Sequence, residues 1–72
     1  MTGYYAITTR VSRTIDGWTS TKHSPTFYLH SAVQGIISEE HAERIAIDMV
    51  RDMLPTGDDA IVGAHVVFVG TP

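Results

Sequence analysis

From Tyr4 to Arg13 the chain alternates, with Tyr5, Ile7, Thr9 and Val11 on one face and Tyr4, Ala6, Thr8, Arg10 and Ser12 on the other. β-Branched and aromatic side chains at a period of two fit a pleated, half-buried strand, and they predict one here. Asp16-Gly17 follows between Ile15 and Trp18. Asp-Gly between such runs predicts a hairpin, because glycine accepts the positive φ that a tight turn needs. The returning strand is expected from Trp18 to about His30, with Phe27 and Leu29 as its apolar side. Across a two-residue turn at Asp16-Gly17, facing positions add to 33, which sets Ile7 against Thr26 and sends Phe27 to the face opposite Ile7. An even sum returns the apolar residues to one face. It is supplied either by a three-residue turn with Gly17 in the bulge position or by one extra residue bulged near Ser24-Pro25. Pro25 has no N–H to give to a ladder, which places this second strand at a sheet edge.

Residues 31–37 are expected to form a connection. Ser38 then stands as an N-cap whose hydroxyl accepts from the free N–H groups of a first helical turn, and Glu39 and Glu40 complement the positive end of the helix dipole. Ala42, Ile45, Ala46, Met49 and Met53 recur at steps of three and four and predict one apolar stripe, with Glu40 and Arg44 paired on the exposed side. Pro55 and Gly57 stop the helix after Leu54. Ala60 to Val69 is the last strand, apolar on both faces: Ala60, Val62, Ala64, Val66 and Phe68 on one, Ile61, His65, Val67 and Val69 on the other. Either face of it can be the inner one. The order is β-β-α-β, and a right-handed crossover predicts an α+β domain spanning residues 1–72, a three-stranded antiparallel sheet of order 2-1-3 with one helix on one face.

Size changes the reading of that last strand. A chain of 72 residues buries only roughly 60% of the surface its unfolded form exposes, and one helix shields only one face of a sheet. The second apolar face calls for a partner subunit, and a homodimer is expected. The chain has no cysteine, so neither a disulfide nor a thiolate metal site supports the fold. Its first ten residues lack a basic segment followed by an apolar run, and no stretch approaches the ~18 apolar residues of a membrane span, so a reducing cytoplasm is expected.

Net charge is −3 and unevenly placed. Residues 1–30 hold Arg10, Arg13 and Lys22 against Asp16, a balance of +2, and residues 31–72 hold two arginines against seven carboxylates, a balance of −5. The cations of the hairpin, with Trp18, Tyr4 and Tyr28 near them, give an alternative reading as a small nucleic-acid surface of phosphate contacts and base stacking. Three cations are few, and the acidic remainder repels a polyanion.

His23, His30, His41 and His65 are the candidate bases and ligands near neutral pH. His30 and His65 fall on one face by parity, but neither has a second ligand at a spacing metal sites use, and no metal or cofactor is expected. Residues 38–44 set carboxylates beside His41 without the pair of histidines four apart that marks zinc-protease helices. No serine lies in a nucleophile elbow and no glycine pattern cradles phosphate, so no catalytic residues are assigned and no enzyme is expected. The residues expected to meet a partner are Tyr4, Trp18, Tyr28, His30, Ile61, His65, Val67 and Val69.

The stretch from Pro25 to His30, followed by Val33-Gln34-Gly35-Ile36-Ile37-Ser38-Glu39-Glu40-His41-Ala42-Glu43-Arg44-Ile45-Ala46, resembles a family of small accessory proteins of mycobacteriophages and related actinobacteriophages. The likeness includes Gly17-Trp18-Thr19 and the apolar last strand, and so spans most of the chain. It implies a non-structural phage protein in the host cytoplasm that binds a host protein and slows or kills the host. It carries over no catalytic residues. Gln34-Gly35 before Ser38-Glu39-Glu40 is similar in arrangement to HicB-type antitoxin cores, without their DNA-binding tail.

Overall fold

Strand β1 (Tyr4–Ile15) bears the sheet, and its alternation is visible in burial: Tyr5, Ile7 and Thr9 are buried while Tyr4, Ala6 and Thr8 are half-buried. The computed structural model describes residues 3–70; residues 1, 2, 71 and 72, placed within the domain by the sequence reading, lie outside that range. After β1 come β2 (Trp18–His23), β3 (Phe27–His30), a one-turn helix α1 (Ser31–Gln34), helix α2 (Glu39–Met53) and β4 (Ile61–Gly70). β2 and β3 pair in succession along one edge of β1 and β4 pairs along the other, all antiparallel. Taken together, β2 and β3 are the expected second strand, interrupted, and the architecture is the α+β sheet of order 2-1-3 with α2 on one face.

The interruption settles the parity problem. Asp16 and Gly17 both take positive φ, 52° and 81°, as a tight two-residue hairpin turn requires. Ile15 then faces Trp18, and facing residues add to 33 as far as Arg10 and His23. Ser24 extends this register, donating its N–H to the Thr9 carbonyl at 2.9 Å and accepting the Thr9 N–H on its Oγ at 3.0 Å. Beyond it Ile7 faces Phe27 and Tyr5 faces Leu29, a sum of 34. Of the two expected devices the chain uses the bulge: Pro25, with no N–H of its own, is the residue left over.

α2 starts where the caps place it, with Ser38 Oγ accepting from the His41 N–H at 3.1 Å and Glu39 and Glu40 in the first turn. Ala42 and Ala46 have no exposed surface. Their small side chains let the helix settle on Tyr5, Ile7, Leu29 and Ala64, with Ile45, Ile47, Val66 and Phe68 around the rim. Ile7 is the largest fully buried side chain, and Phe68 meets Tyr5 edge to face at 5.0 Å. The helix therefore covers the face of β4 that carries Ala60, Val62 and Ala64.

Two expectations are corrected. Residues 31–37 are more than a connection: His30 Nδ1 accepts the Ala32 N–H at 3.1 Å and caps α1, which ends at Gly35 and delivers Ile36 into the core. Second, the apolar stripe of α2 does not stay buried to its end, since Met49 and Met53 are exposed. The last turns run beside the Ser24–Phe27 bulge, and a groove of about 370 Å³ lies between them.

The two ends of the described chain are held together. Gly3 donates its N–H to Ser31 Oγ at 3.0 Å and accepts from the Ser31 N–H at 2.9 Å. A Cβ on Gly3 would stand 2.7 Å from the Gly70 carbonyl carbon, so no side chain fits there. At the opposite end the β1–β2 hairpin projects past the helix, every residue of β2 is exposed, and the molecule measures 45 × 20 × 16 Å.

Replacing Ile7 with alanine is expected to cost about 2–5 kcal/mol, against the roughly 4–11 kcal/mol a domain of this size holds in all. Urea denaturation is expected to show a transition moved close to zero denaturant, whereas Thr14→Ala on the hairpin shifts stability by no more than about 1 kcal/mol.

Candidate functional site

The face of the sheet away from α2 is set by the even residues of β1. Tyr4 lies between His30 and Gly70, Ala6 between Tyr28 and Val67, Arg10 between His23 and Gly63, and Ser12 between Thr21 and Ile61; Thr8 faces His65. A register shift between Tyr4 and Tyr5 leaves Val69 bulged, since Tyr5 faces Phe68 and Tyr4 faces Gly70. Tyr4, Tyr28, Val69 and Gly70 line a shallow basin of about 500 Å³ there. Tyr28 is 60% exposed and Val69 52%, and the His30 ring stands edge-on to Tyr4 at 4.7 Å.

This open face has two zones. Tyr4, Ala6, Tyr28, Val67 and Val69 make the end near β3 apolar. Toward the hairpin tip the face is a ladder of hydroxyls, with Thr8 bonded to Thr26 at 3.2 Å, Ser12 to Thr21 at 2.8 Å and Thr14 to Thr19 at 3.0 Å. Such cross-strand pairs hold the arm together where no helix covers it. The sequence reading missed this ladder, although the two-residue turn already pairs Ser12 with Thr21 and Thr14 with Thr19. Arg10 lies flat across Gly63, where an added Cβ would meet its guanidinium carbon at 2.5 Å.

Of the eight residues expected to meet a partner, seven share this face: Tyr4, Tyr28, His30, Ile61, His65, Val67 and Val69. Ile61 stands apart at the polar end, 73% exposed. Trp18 is separated from them all. It faces Ile15 and stands on the helix side of the hairpin with Val11, Arg13 and Lys22, exposed because α2 does not reach that far. The register of the turn gives Trp18 the parity of Ile15, so it lies apart from the other seven, exposed on the helix side of the hairpin.

The histidines have separate settings. His30 and His65 share the face, but their rows, at Tyr4 and Thr8, lie about 13 Å apart along β1. The His30 Nδ1 is occupied by the Ala32 N–H, and His41 Nδ1 accepts the Ile37 N–H at 3.3 Å. Among the described residues no three His, Asp or Glu side chains gather closely enough to hold a metal ion.

The cations are divided as well. Arg10 lies on the open face and Arg13 and Lys22 on the other, so the hairpin does not present them as one patch. Arg13 Nη2 donates to Asp58 Oδ2 at 2.6 Å, and Asp58 Oδ1 accepts the Ala60 N–H at 2.9 Å. One carboxylate thus ties the middle of the hairpin to the loop that enters β4. The Arg13 hydrogen bond foremost, then that of Ala60, hold the Asp58 carboxyl below its ordinary value of 3.8 despite partial desolvation. A carboxyl lowered by folding adds stability above its unfolded value and loses it as pH falls through the lowered one. Urea midpoints measured downward from about pH 6 are expected to fall below pH 3.8 in a step that Asp58→Asn, which keeps the acceptor for Ala60 and loses the charge, does not show.

Among the described residues no helix is long and apolar enough to cross a membrane. Comparison of the chain with protein-family models, with curated proteins and with solved structures finds no match.

Proposed function

We propose that this chain is a protein-interaction module that works as a homodimer and offers its open sheet face to a second protein. The observation that carries the reading is the apolar zone of Tyr4, Tyr28, Val67 and Val69, contiguous across three strands and wet in the protomer. Soluble chains seldom leave a contiguous apolar patch uncovered unless another surface covers it. Aromatic side chains with a polar tip, as at Tyr4 and Tyr28, suit such a contact because each offers a large rigid area and a hydrogen-bonding hydroxyl. The resemblance to actinobacteriophage accessory proteins supports a protein of the infected cell as that partner, with growth inhibition as the outcome and the bacterial cytoplasm as the place. The alternative, nucleic-acid binding through Arg10, Arg13 and Lys22, has less support, because these side chains lie on two faces and Arg13 is engaged by Asp58.

The reading is tested by sedimentation and by affinity capture from an actinobacterial lysate. A dimer at micromolar concentration and a reproducibly captured protein are expected. Tyr28→Asp, which changes the face and leaves α2 and β4 untouched, is expected to keep the fold and lose at least about tenfold of the capture, the effect of removing one central aromatic anchor. A monomeric chain that captures nothing above background overturns the reading.

A further inference from the structure

The two edges of the sheet are not alike. The edge formed by β2 and β3 is broken at Pro25, carries Lys22 and has no stretch longer than six residues. Those are the features by which proteins blunt an edge against further pairing. The β4 edge has none of them. Ile61–Gly70 is ten residues long, with no proline and no lysine, arginine, aspartate or glutamate. Among the described residues β4 pairs with β1 alone, and α2 covers its face rather than its edge.

The register shows which backbone groups that edge presents. Thr9 turns its N–H and C=O toward Ser24, so the odd residues of β1 bond toward β2 and β3 and the even ones toward β4. Their partners on β4, namely Ile61, Gly63, His65 and Val67, therefore spend their amides on β1. Val62, Ala64, Val66 and Phe68 point theirs outward. Past Phe68 the Val69 bulge and the positive φ of Gly70, 75°, end the regular edge.

We propose that a second copy of this chain occupies that edge, β4 against β4 in antiparallel register, joining two sheets into one of six strands. This rests on the homodimer reading above and names its seam. A two-fold axis between antiparallel neighbours must stand normal to the sheet, so facing residues share a face and their numbers add to an even sum. Only the sum of 130 uses all four outward-pointing residues, Val62 opposite Phe68 and Ala64 opposite Val66 in each direction. Neighbouring even registers pair three of the four with one another.

The same register accounts for Ile61. Exposed among hydroxyls within one protomer, it comes to lie beside the Val69 bulge of the second copy, where the regular pairing ends. The helix side of the seam is then apolar throughout, and on the open side apolar residues flank the central pair of His65 side chains. Both helices fall on one side and both open faces on the other, so dimerisation through the edge leaves the Tyr4 and Tyr28 zone free for the partner.

The axis passes at His65, which faces its own copy as a non-hydrogen-bonded pair with Cα atoms about 4.5 Å apart, inside the range a disulfide spans. The chain has no cysteine, so one introduced thiol reports without ambiguity. His65→Cys is expected to give a covalent dimer under mild oxidation. Val67→Cys, roughly 13 Å from its own copy, and Tyr28→Cys are expected to stay uncrosslinked. Val66→Pro removes an outward N–H without touching the β1 ladder, and is expected to yield a folded monomer by sedimentation and circular dichroism. A dimer by sedimentation in which His65→Cys fails to crosslink, or in which Tyr28→Cys or Val67→Cys crosslinks instead, overturns the edge seam and leaves the homodimer reading standing. A folded Val66→Pro variant that still dimerises does the same. A wild-type chain that is monomeric at micromolar concentration overturns both.

Discussion

Tyr5, Ile7 and Thr9 can be buried under Ala42 and Ala46 only if the strands on both sides of β1 turn their apolar side chains the same way, and the hairpin by itself does not allow it. Its two-residue turn puts Phe27 and Leu29 on the wrong parity. The unpaired Pro25 shifts the register by one and brings Phe27 beside Ile7 and Leu29 beside Tyr5. The core follows from that shift. Ile7 becomes fully enclosed, α2 descends on the resulting row, and β4 completes it from the other side with Ala64, Val66 and Phe68.

The same shift divides the molecule by chemistry. Up to Ile7 β1 pairs with β3 and the open face is apolar; from Thr8 onward, toward the hairpin, it carries hydroxyls and Arg10. With so small a core, the projecting arm depends on cross-strand hydroxyl pairs and on the single Arg13–Asp58 contact rather than on burial. The exposed Trp18 at its base of turn is the chain's one tryptophan, and no element of the described protomer covers it.

What was legible in the sequence was what depends on neighbours in the chain. The alternation of β1, the Asp16-Gly17 turn, the Ser38 cap with its two glutamates and the stop at Leu54-Pro55 each carry their own signal within a few residues, and each lies where the pattern puts it. The bulge was foreseen as one of two devices because counting residues around the turn exposed the parity conflict. The remainder depended on distance in space. Met49 and Met53 continue the stripe of α2, but a groove separates them from the bulged edge and leaves them exposed. Trp18 lies apart from the other expected contact residues, and its exposure depends on how far α2 reaches, which no local pattern gives. The capping of α1 by His30 needs a ring nitrogen aimed at one particular N–H, and the tie between Arg13 and Asp58 joins residues forty-five positions apart; no local pattern encodes either. Strand parity groups Ile61, His65, Val67 and Val69 on one face of β4, and its pairing with β1 decides that this is the open one.

The contact between Gly3 and Gly70 has a topological consequence. Because the backbone at the two ends of the described chain approaches to within van der Waals distance, a bridge of a few residues closes the polypeptide into a ring without disturbing β1 or β4. New termini opened at Asp16-Gly17, in the exposed turn, give a circular permutant. In that permutant the order of the elements becomes β2, β3, α1, α2, β4, β1, so β1 is made last, between partners already in place. Fusions follow the same geometry: a carrier joined at Gly3 or Gly70 sits beside Tyr4 and Val69 and shades the apolar basin, while one joined at the turn leaves it open.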